Sequence, residues 1–176
     1  ILTDTLSILG ADVHYFIPDR FKDGYGPNMQ CYQDIVADGT KLIITVDNGV
    51  TGVDEVKYAQ DHGVDVILTD HHTFQEQVPK PYALVHCNYP GQKYPFDDYC
   101  GAGVAYTICR KLMEDPMPEL LDLAMIGTIG DMVKVTGEGH IIVKRGLEML
   151  NQTDRPGLRA LIKNAGLKMG SINETD

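Results

Sequence analysis

No apolar run in the chain approaches the roughly 18 residues that a membrane-crossing helix needs, and no charged leader precedes an apolar stretch with a cleavage site. A membrane-spanning helix is therefore excluded, and secretion has no support. Cysteines are few: Cys31, Cys87, Cys100 and Cys109 are scattered with no CxxC pair. In a chain of 176 residues that pattern does not fit a disulfide-stapled module, and the four read as reduced thiols of a cytoplasmic protein. Basic residues are also scarce, with 15 Lys and Arg against 25 Asp and Glu and a net charge of −10. That balance excludes a generic nucleic-acid coat, which presents a basic face, but leaves room for an acidic metal site. The imbalance is local, because seven basic residues face five acidic ones after Asp131, whereas eight face twenty up to it. Long-period repeats and low-complexity tracts are absent as well.

What is present is the make-up of one ordinary globular domain, 43% hydrophobic and 23% charged, long enough to bury a sizeable core. Ile1, Leu2, Leu6 and Leu9, with polar residues between them, read as a helix already under way with neither a start methionine nor a cap, as expected of a piece of a longer protein. Gly10 stops that pattern, and Val13-His14-Tyr15-Phe16-Ile17 predicts a strand ended by Pro18. A loop punctuated by glycine and proline leads to Asn28, a cap for a helix ending near Gly39. Leu42-Ile43-Ile44-Thr45-Val46 is nearly continuous in apolar and β-branched residues, which suits a strand buried on both faces of a parallel sheet. It stops at Asp47-Asn48-Gly49. A helix to His62-Gly63 follows, and a second strand, 64–69, ends at Asp70-His71-His72.

Strands alternating with helices predict an α/β fold, a doubly wound, mostly parallel sheet flanked by helices. From Thr73 to Asp98 the chain reads as loop with one strand, 82–86, and beyond Gly101 it reads as helical to the end, with breaks near residues 116–118, 131–139 and 151–156. The expected organisation is an α/β core over 1–115 and a helical continuation of the same domain over 116–176.

In an open parallel sheet, ligands bind beyond the carboxyl ends of the strands, and both strand 42–46 and strand 64–69 deliver a carboxylate there. Neighbouring strands lie about 4.8 Å apart, so Asp47 and Asp70 would repel unless a cation or a shared proton intervened. His71 and His72 arrive at the same edge, and oxygen with imidazole ligands suits Mn, Mg, Zn or Fe better than calcium. A third acid, Asp131, sits where an apolar helix runs out into a polar turn. A strand-end Asp taken alone is often only a turn residue or a helix cap. Two of them with adjacent histidines favour a metal site. His14, His62, His86 and His140 lack that context and read as surface or packing residues.

Gly101-Ala102-Gly103 opens a helix whose free N–H groups could hold a phosphate, although small residues there serve tight packing equally well. Arg20 and Lys22, before a glycine-rich loop, could clamp a phosphate or simply be solvated. Lys144, Arg145, Arg155, Arg159 and Lys163 read as a solvated helical face.

Asp70-His71-His72 after an apolar strand, preceded by Thr45-Val46-Asp47-Asn48-Gly49, resembles the DHH phosphoesterase superfamily. Three further stretches resemble its bacterial branch of single-strand-specific DNA exonucleases: Ile17-Pro18-Asp19-Arg20 through Asn28, Tyr94-Pro95-Phe96 through Ala105, and Gly127-Thr128-Ile129-Gly130-Asp131 through Leu147. The resemblance covers nearly the whole chain. It implies a binuclear Mn or Mg site in which Asp47 bridges the ions and His71 and Asp131 ligate the second. Asp70 would hold its neighbours or bind directly, and His72 would face the scissile phosphate; Arg20, Gly101, Ala102 and Gly103 stand beside these as candidate substrate contacts on their own local pattern.

The family's first motif, an Asp-x-Asp on a strand before the opening helix, has no counterpart here, and neither do its later domains. The expectation is therefore a partial catalytic core of a 5′-to-3′ exonuclease that acts on single-stranded DNA in recombination and repair. This chain alone would be nearly inactive and bind at most one ion weakly. A related phosphoesterase cleaving short oligonucleotides, cyclic dinucleotides or pyrophosphate is the second reading, and a non-catalytic repair scaffold the third.

Overall fold

The helix, strand and helix pattern produces an α/β fold in the computed structural model, which describes residues 1–92 and 94–176. The chain forms two compact units: a sheet unit, Leu6–Asp97, and a helical unit, Ile1–Thr5 with Asp98–Asp176. Residues 115 and 116, where the sequence reading passes from core to helical continuation, both lie inside the helical unit. The opening helix α1 (Leu2–Ile8) starts in one unit and ends in the other.

In the sheet unit, α2 (Met29–Ala37) starts as expected at Asn28, whose side chain accepts a hydrogen bond from the Cys31 N–H. That removes one unpaired donor from the first turn. Strand β1 (Leu42–Ile44), helix α3 (Val53–Asp61), strand β2 (Asp65–Asp70) and strand β3 (Ala83–His86) follow. The strands form one parallel sheet in the order β1-β2-β3. The connection from β1 to β2 runs through α3, and Gly63, at φ 76°, turns the chain from that helix into β2. Tyr32, Val56, Ala59, Val64 and Val66 form the core beside the sheet.

Two strand expectations are corrected. Residues 13–17 are not a strand, and Tyr15, Phe16 and Ile17 are all exposed. β-rich composition makes a strand only where another strand accepts its backbone groups, and no described strand pairs with these residues. Strand β1 is shorter than expected and only partly covered, with Leu42 45% exposed and Ile43 and Ile44 half-buried, whereas Val66 and Leu68 of β2 are fully buried. A continuous apolar run does not distinguish a strand at the sheet's edge from one in its centre.

Tyr32 is a defect in this core. It is 7% exposed, and its hydroxyl has no hydrogen-bond partner among the described residues. Burial, with a smaller contribution from the Glu55 carboxylate, pushes its phenol up to about 12. The folded state thus prefers the neutral phenol, and the stability tied to that proton is complete below the unfolded value near pH 10 and is lost as pH rises towards 12. Tyr32→Phe should be neutral or stabilising by up to about 1 kcal/mol at pH 7. In urea titrations the native protein should lose about 1 kcal/mol more than this variant between pH 8 and pH 11.

In the helical unit, α4 (Gly101–Met113) is followed by a 3-10 turn (Pro118–Leu120), α5 (Leu121–Gly130), α6 (Gly137–Leu150) and α7 (Pro156–Asn164). Helix α5 is almost wholly apolar and buries Leu121, Ala124 and Met125. The single acid it buries, Asp122, is fully satisfied: Oδ1 accepts the Leu123 N–H at 2.7 Å, and Oδ2 accepts from Thr153 at 3.0 Å and Arg155 Nε at 3.1 Å. Arg155 also donates to the Glu119 carbonyl. It is therefore not part of a solvated face, because a buried carboxylate has to be paired.

Candidate metal centre

The parallel pairing of β1 with β2 aligns Ile43 with Val66 and Ile44 with Ile67, and hydrogen bonds continue beyond β1 from Thr45 N to Ile67 O and from Asp47 N to Thr69 O. The two threonines lock this end together, since Thr69 Oγ1 donates to Thr45 O at 2.6 Å and Thr45 Oγ1 accepts the Thr69 N–H at 3.1 Å. At Asp47 the backbone turns left-handed, with φ 61°. That conformation is unfavourable for most side chains and is tolerated best by Asn and Asp, which makes it a local marker of function. Gly49 follows at φ 125°, where an added Cβ would lie 2.9 Å from Leu68 Cγ. Only glycine brings the backbone that close, and the next N–H, that of Val50, then reaches Asp70 Oδ2 at 3.0 Å.

Asp70 is 1% exposed. Besides Val50, it accepts the His71 N–H at 2.8 Å, the His72 N–H at 3.2 Å and the His72 ring Nδ1 at 2.6 Å, all at Oδ1. Burial alone would raise its carboxyl, but the hydrogen bonds from Val50, His72 and His71 together outweigh burial and hold it below the usual carboxylate range. Asp70 is thus a charged acceptor with both oxygens engaged. It shapes the turn of the two histidines, and by accepting a hydrogen bond from Nδ1–H it leaves His72 Nε2 as the ring atom available for chemistry.

The His72 side chain is 39% exposed, and its Nε2 lies 3.3 Å from the Tyr25 hydroxyl. Both residues line a cleft of about 360 Å³ with Gly26, Pro27, Asp47, Asn48, Gly49, Val50, Thr51, Asp70 and Thr73.

His71 takes the other direction: its Nε2 lies 2.8 Å from Asp47 Oδ1. Ligand atoms of Asp47, Asp70, His71 and His72 all lie within 4.8 Å of one another. Two atoms bound to one ion at about 2.1 Å are at most about 4.2 Å apart, so Asp47 and His71 fit a shared ion. A carboxylate with an imidazole suits Mn or Mg with remaining water ligands, or Zn. Asp47 is about half-exposed and His71 is 13% exposed, so the pair stands at the surface with one face open.

Of the other residues singled out from sequence, Arg20 is exposed in the sheet unit, with its guanidinium 5.6 Å from the Tyr25 ring centre. Asp131 belongs to the helical unit, directly after α5, where its N–H bonds Gly127 O at 2.9 Å. Gly101, Ala102 and Gly103 form the first turn of α4. The Gly103 N–H is held by Cys100 Sγ at 3.3 Å, and a Cβ on Gly103 would sit 2.9 Å from Tyr99 Cδ1. Gly103 therefore has a packing role.

Two further residues reach the site, Tyr25 and His86. Tyr25 stands 47 residues from His72 in the chain, and only the fold brings them together. His86, read as a packing residue, is buried at the end of β3 opposite Asp70. Burial first, and the His71 and His72 rings next, hold its imidazole below the ordinary histidine range despite the hydrogen bond to the His72 backbone and the nearby Asp70.

Beyond its strand ends the parallel sheet thus carries two carboxylates and two histidines whose ligand atoms are close enough to hold a divalent metal ion. The model of the DHH family's N-terminal domain matches residues 1–128, and the chain belongs to that family. Among curated proteins it is similar to the single-stranded-DNA-specific exonuclease RecJ of Bacillus subtilis, 47% identical over 174 residues that cover 99% of this chain and 22% of that protein. RecJ of Thermus thermophilus is 38% identical over 171 residues, 94% of this chain and 25% of that protein. The chain thus spans about a quarter of the length of these relatives. Among solved structures, an exonuclease RecJ bound to manganese superposes with a TM-score of 0.83 at 35% identity, covering 97% of this chain and 44% of that one. RecJ of Thermus thermophilus in complex with Mn2+ gives a TM-score of 0.78 at 32% identity, over 95% of this chain and 24% of that one.

Proposed function

We propose that this chain is part of the catalytic core of a metal-dependent exonuclease that hydrolyses phosphodiester bonds of single-stranded DNA from the 5′ end, in recombination and repair in the cytoplasm. The observation that carries the reading is the pair of ligand atoms on Asp47 and His71, 2.8 Å apart, beside the buried Asp70 and its partner His72. Relatives named single-stranded-DNA-specific exonuclease, up to 47% identical, favour this substrate over cyclic dinucleotides, short oligonucleotides or pyrophosphate. The retained Asp47, His71 and Asp131 speak against a non-catalytic scaffold.

Asp47 and His71 would hold Mn2+ or Mg2+, and the family pattern adds Asp131 as a further ligand. The metal, when bound, neutralises phosphate charge and acidifies a water. Asp70 holds the His72 ring by Nδ1, so that Nε2 faces the cleft, where, once it has taken up a proton from water, it can donate to a phosphate oxygen or pass that proton to the leaving oxygen. Tyr25, hydrogen-bonded to that Nε2, would steady the same proton position. Gly101 and Ala102 offer helix-start N–H groups to a substrate phosphate, and Arg20 offers a cation. The test is a gel assay of the intact protein with Mn2+ on 5′-labelled and 3′-labelled DNA, single- and double-stranded. Mononucleotide release from the 5′ end of the single strand alone is expected. Equal cleavage of duplex, or turnover of cyclic dinucleotides only, would overturn the reading.

A further inference from the structure

The two ring nitrogens of His86 face two different backbone groups. Nε2 lies 2.9 Å from the carbonyl oxygen of His72, and Nδ1 accepts the N–H of Asn88 at 3.0 Å. One nitrogen must accept and the other must donate, which defines a neutral imidazole with its proton on Nε2. The ring is 7% exposed, and Phe74 packs on it with centroids 4.4 Å apart. Tyr89 meets Phe74 edge-on, so His86 cannot swing away without dismantling a small aromatic cluster.

The pairing of β2 with β3 explains why this contact is possible. Asp70 and His86 are directly aligned in the parallel register, and the chain leaves β2 immediately afterwards into the histidine turn. The turn at His72 is then held at several atoms. Its N–H and Nδ1 go to Asp70, its Nε2 to Tyr25, and its carbonyl to His86. Asp70 pulls the turn from within its own strand. His86 is the hold that comes from the next strand, and it acts on the backbone and not on the ring.

We propose that His86 is a positioning residue for the site, a neutral Nε2–H donor on β3 that fixes the backbone of the His71-His72 turn and through it the aim of the His72 ring. The catalytic consequence rests on the reading of the site given above, whereas the positioning itself does not. Removing this donor leaves the ligands in place but lets the turn rock about Asp70, and loss of a partner one step removed from a reacting group typically lowers activity ten- to a hundredfold.

Three proteins test this: native, His86→Leu, which removes the donor, and His86→Gln, whose amide nitrogen reaches the position of Nε2. The first readout is amide hydrogen exchange of the metal-free protein. His86→Leu should speed exchange at the His71 and His72 amides by at least tenfold while protection in β1 and α3 stays native, and His86→Gln should restore it. The second is steady-state exonuclease kinetics with Mn2+. His86→Leu should lower kcat ten- to a hundredfold with KM changed less than threefold, and His86→Gln should recover most of it. Native exchange at His71 and His72 in the Leu variant would overturn the proposal, as would loosening spread evenly through the sheet unit or a Gln variant no better than Leu. His71→Ala is the control: if it leaves turnover intact, the reading of the site is what has failed, and the exchange result still decides the role of His86.

Discussion

Asp47→Asn in the intact protein is expected to lower Mn2+-dependent cleavage by on the order of a thousandfold or more, while melting temperature and circular dichroism remain native. The size of the loss follows from the carboxylate's place: its Oδ1 lies 2.8 Å from His71 Nε2, and removing the charge removes the anionic half of that ligand pair. The choice of Asn matters because Asp47 sits at φ 61°. Asn tolerates that region nearly as well as Asp, so the backbone turn survives, whereas Asp47→Ala adds about 1–2 kcal/mol of left-handed strain to the loss of the ligand. Comparing the two separates chemistry from folding. Activity should be equally absent in both, and only the alanine variant should melt earlier. A fully active Asn variant would remove Asp47 from the metal site.

The largest stability effect is expected at Gly146. A Cβ added there would lie 2.2 Å from Met125 Cβ and 2.6 Å from the Leu121 carbonyl oxygen, where α6 crosses α5. The second contact is to backbone, so rotating a side chain cannot relieve it, and the two helices must move apart. Alanine gains about 0.5–1 kcal/mol over glycine in helix preference, but overpacking a helix crossing costs about 1–3 kcal/mol or more. The clash wins, and Gly146→Ala should lose roughly 2 kcal/mol net, which is about 4–8 °C in melting temperature for a protein of this size.

Gly157, in the first turn of α7, gives the opposite case. No atom lies within 4 Å of its added Cβ. Gly157→Ala should be neutral or gain up to about 1 kcal/mol. If calorimetry shows both substitutions neutral, the close approach of α5 and α6 is wrong.

The strand-end acids were legible in the sequence because an apolar run that ends at Asp, followed by a glycine turn or a histidine pair, encodes both the strand and the group it delivers. Asn28 as a cap and the breaks between the later helices were legible for the same local reason. The role of Asp70 was not, since its four donors include the Val50 N–H, 20 residues away and placed by the turn at Gly49. The roles of Tyr25 and His86 were not legible either, because they come from loop packing and from the β2–β3 register, not from neighbours in the chain.

Residues 13–17 show the converse, where a strong local strand preference goes unused for want of a partner. Arg155 looked like one more solvated cation, and only the buried Asp122, 33 residues earlier, gives it a structural task.

Anomalous X-ray scattering at the manganese edge, from crystals of this chain grown with MnCl2, tests the central claim most directly. The arrangement of Asp47 and His71 predicts a peak within bonding distance of Asp47 Oδ1 and His71 Nε2, with Asp70 still engaged by Val50, His71 and His72 and not bound to the ion. A peak held by other residues, or none beside Asp47 and His71 at millimolar manganese, would contradict it.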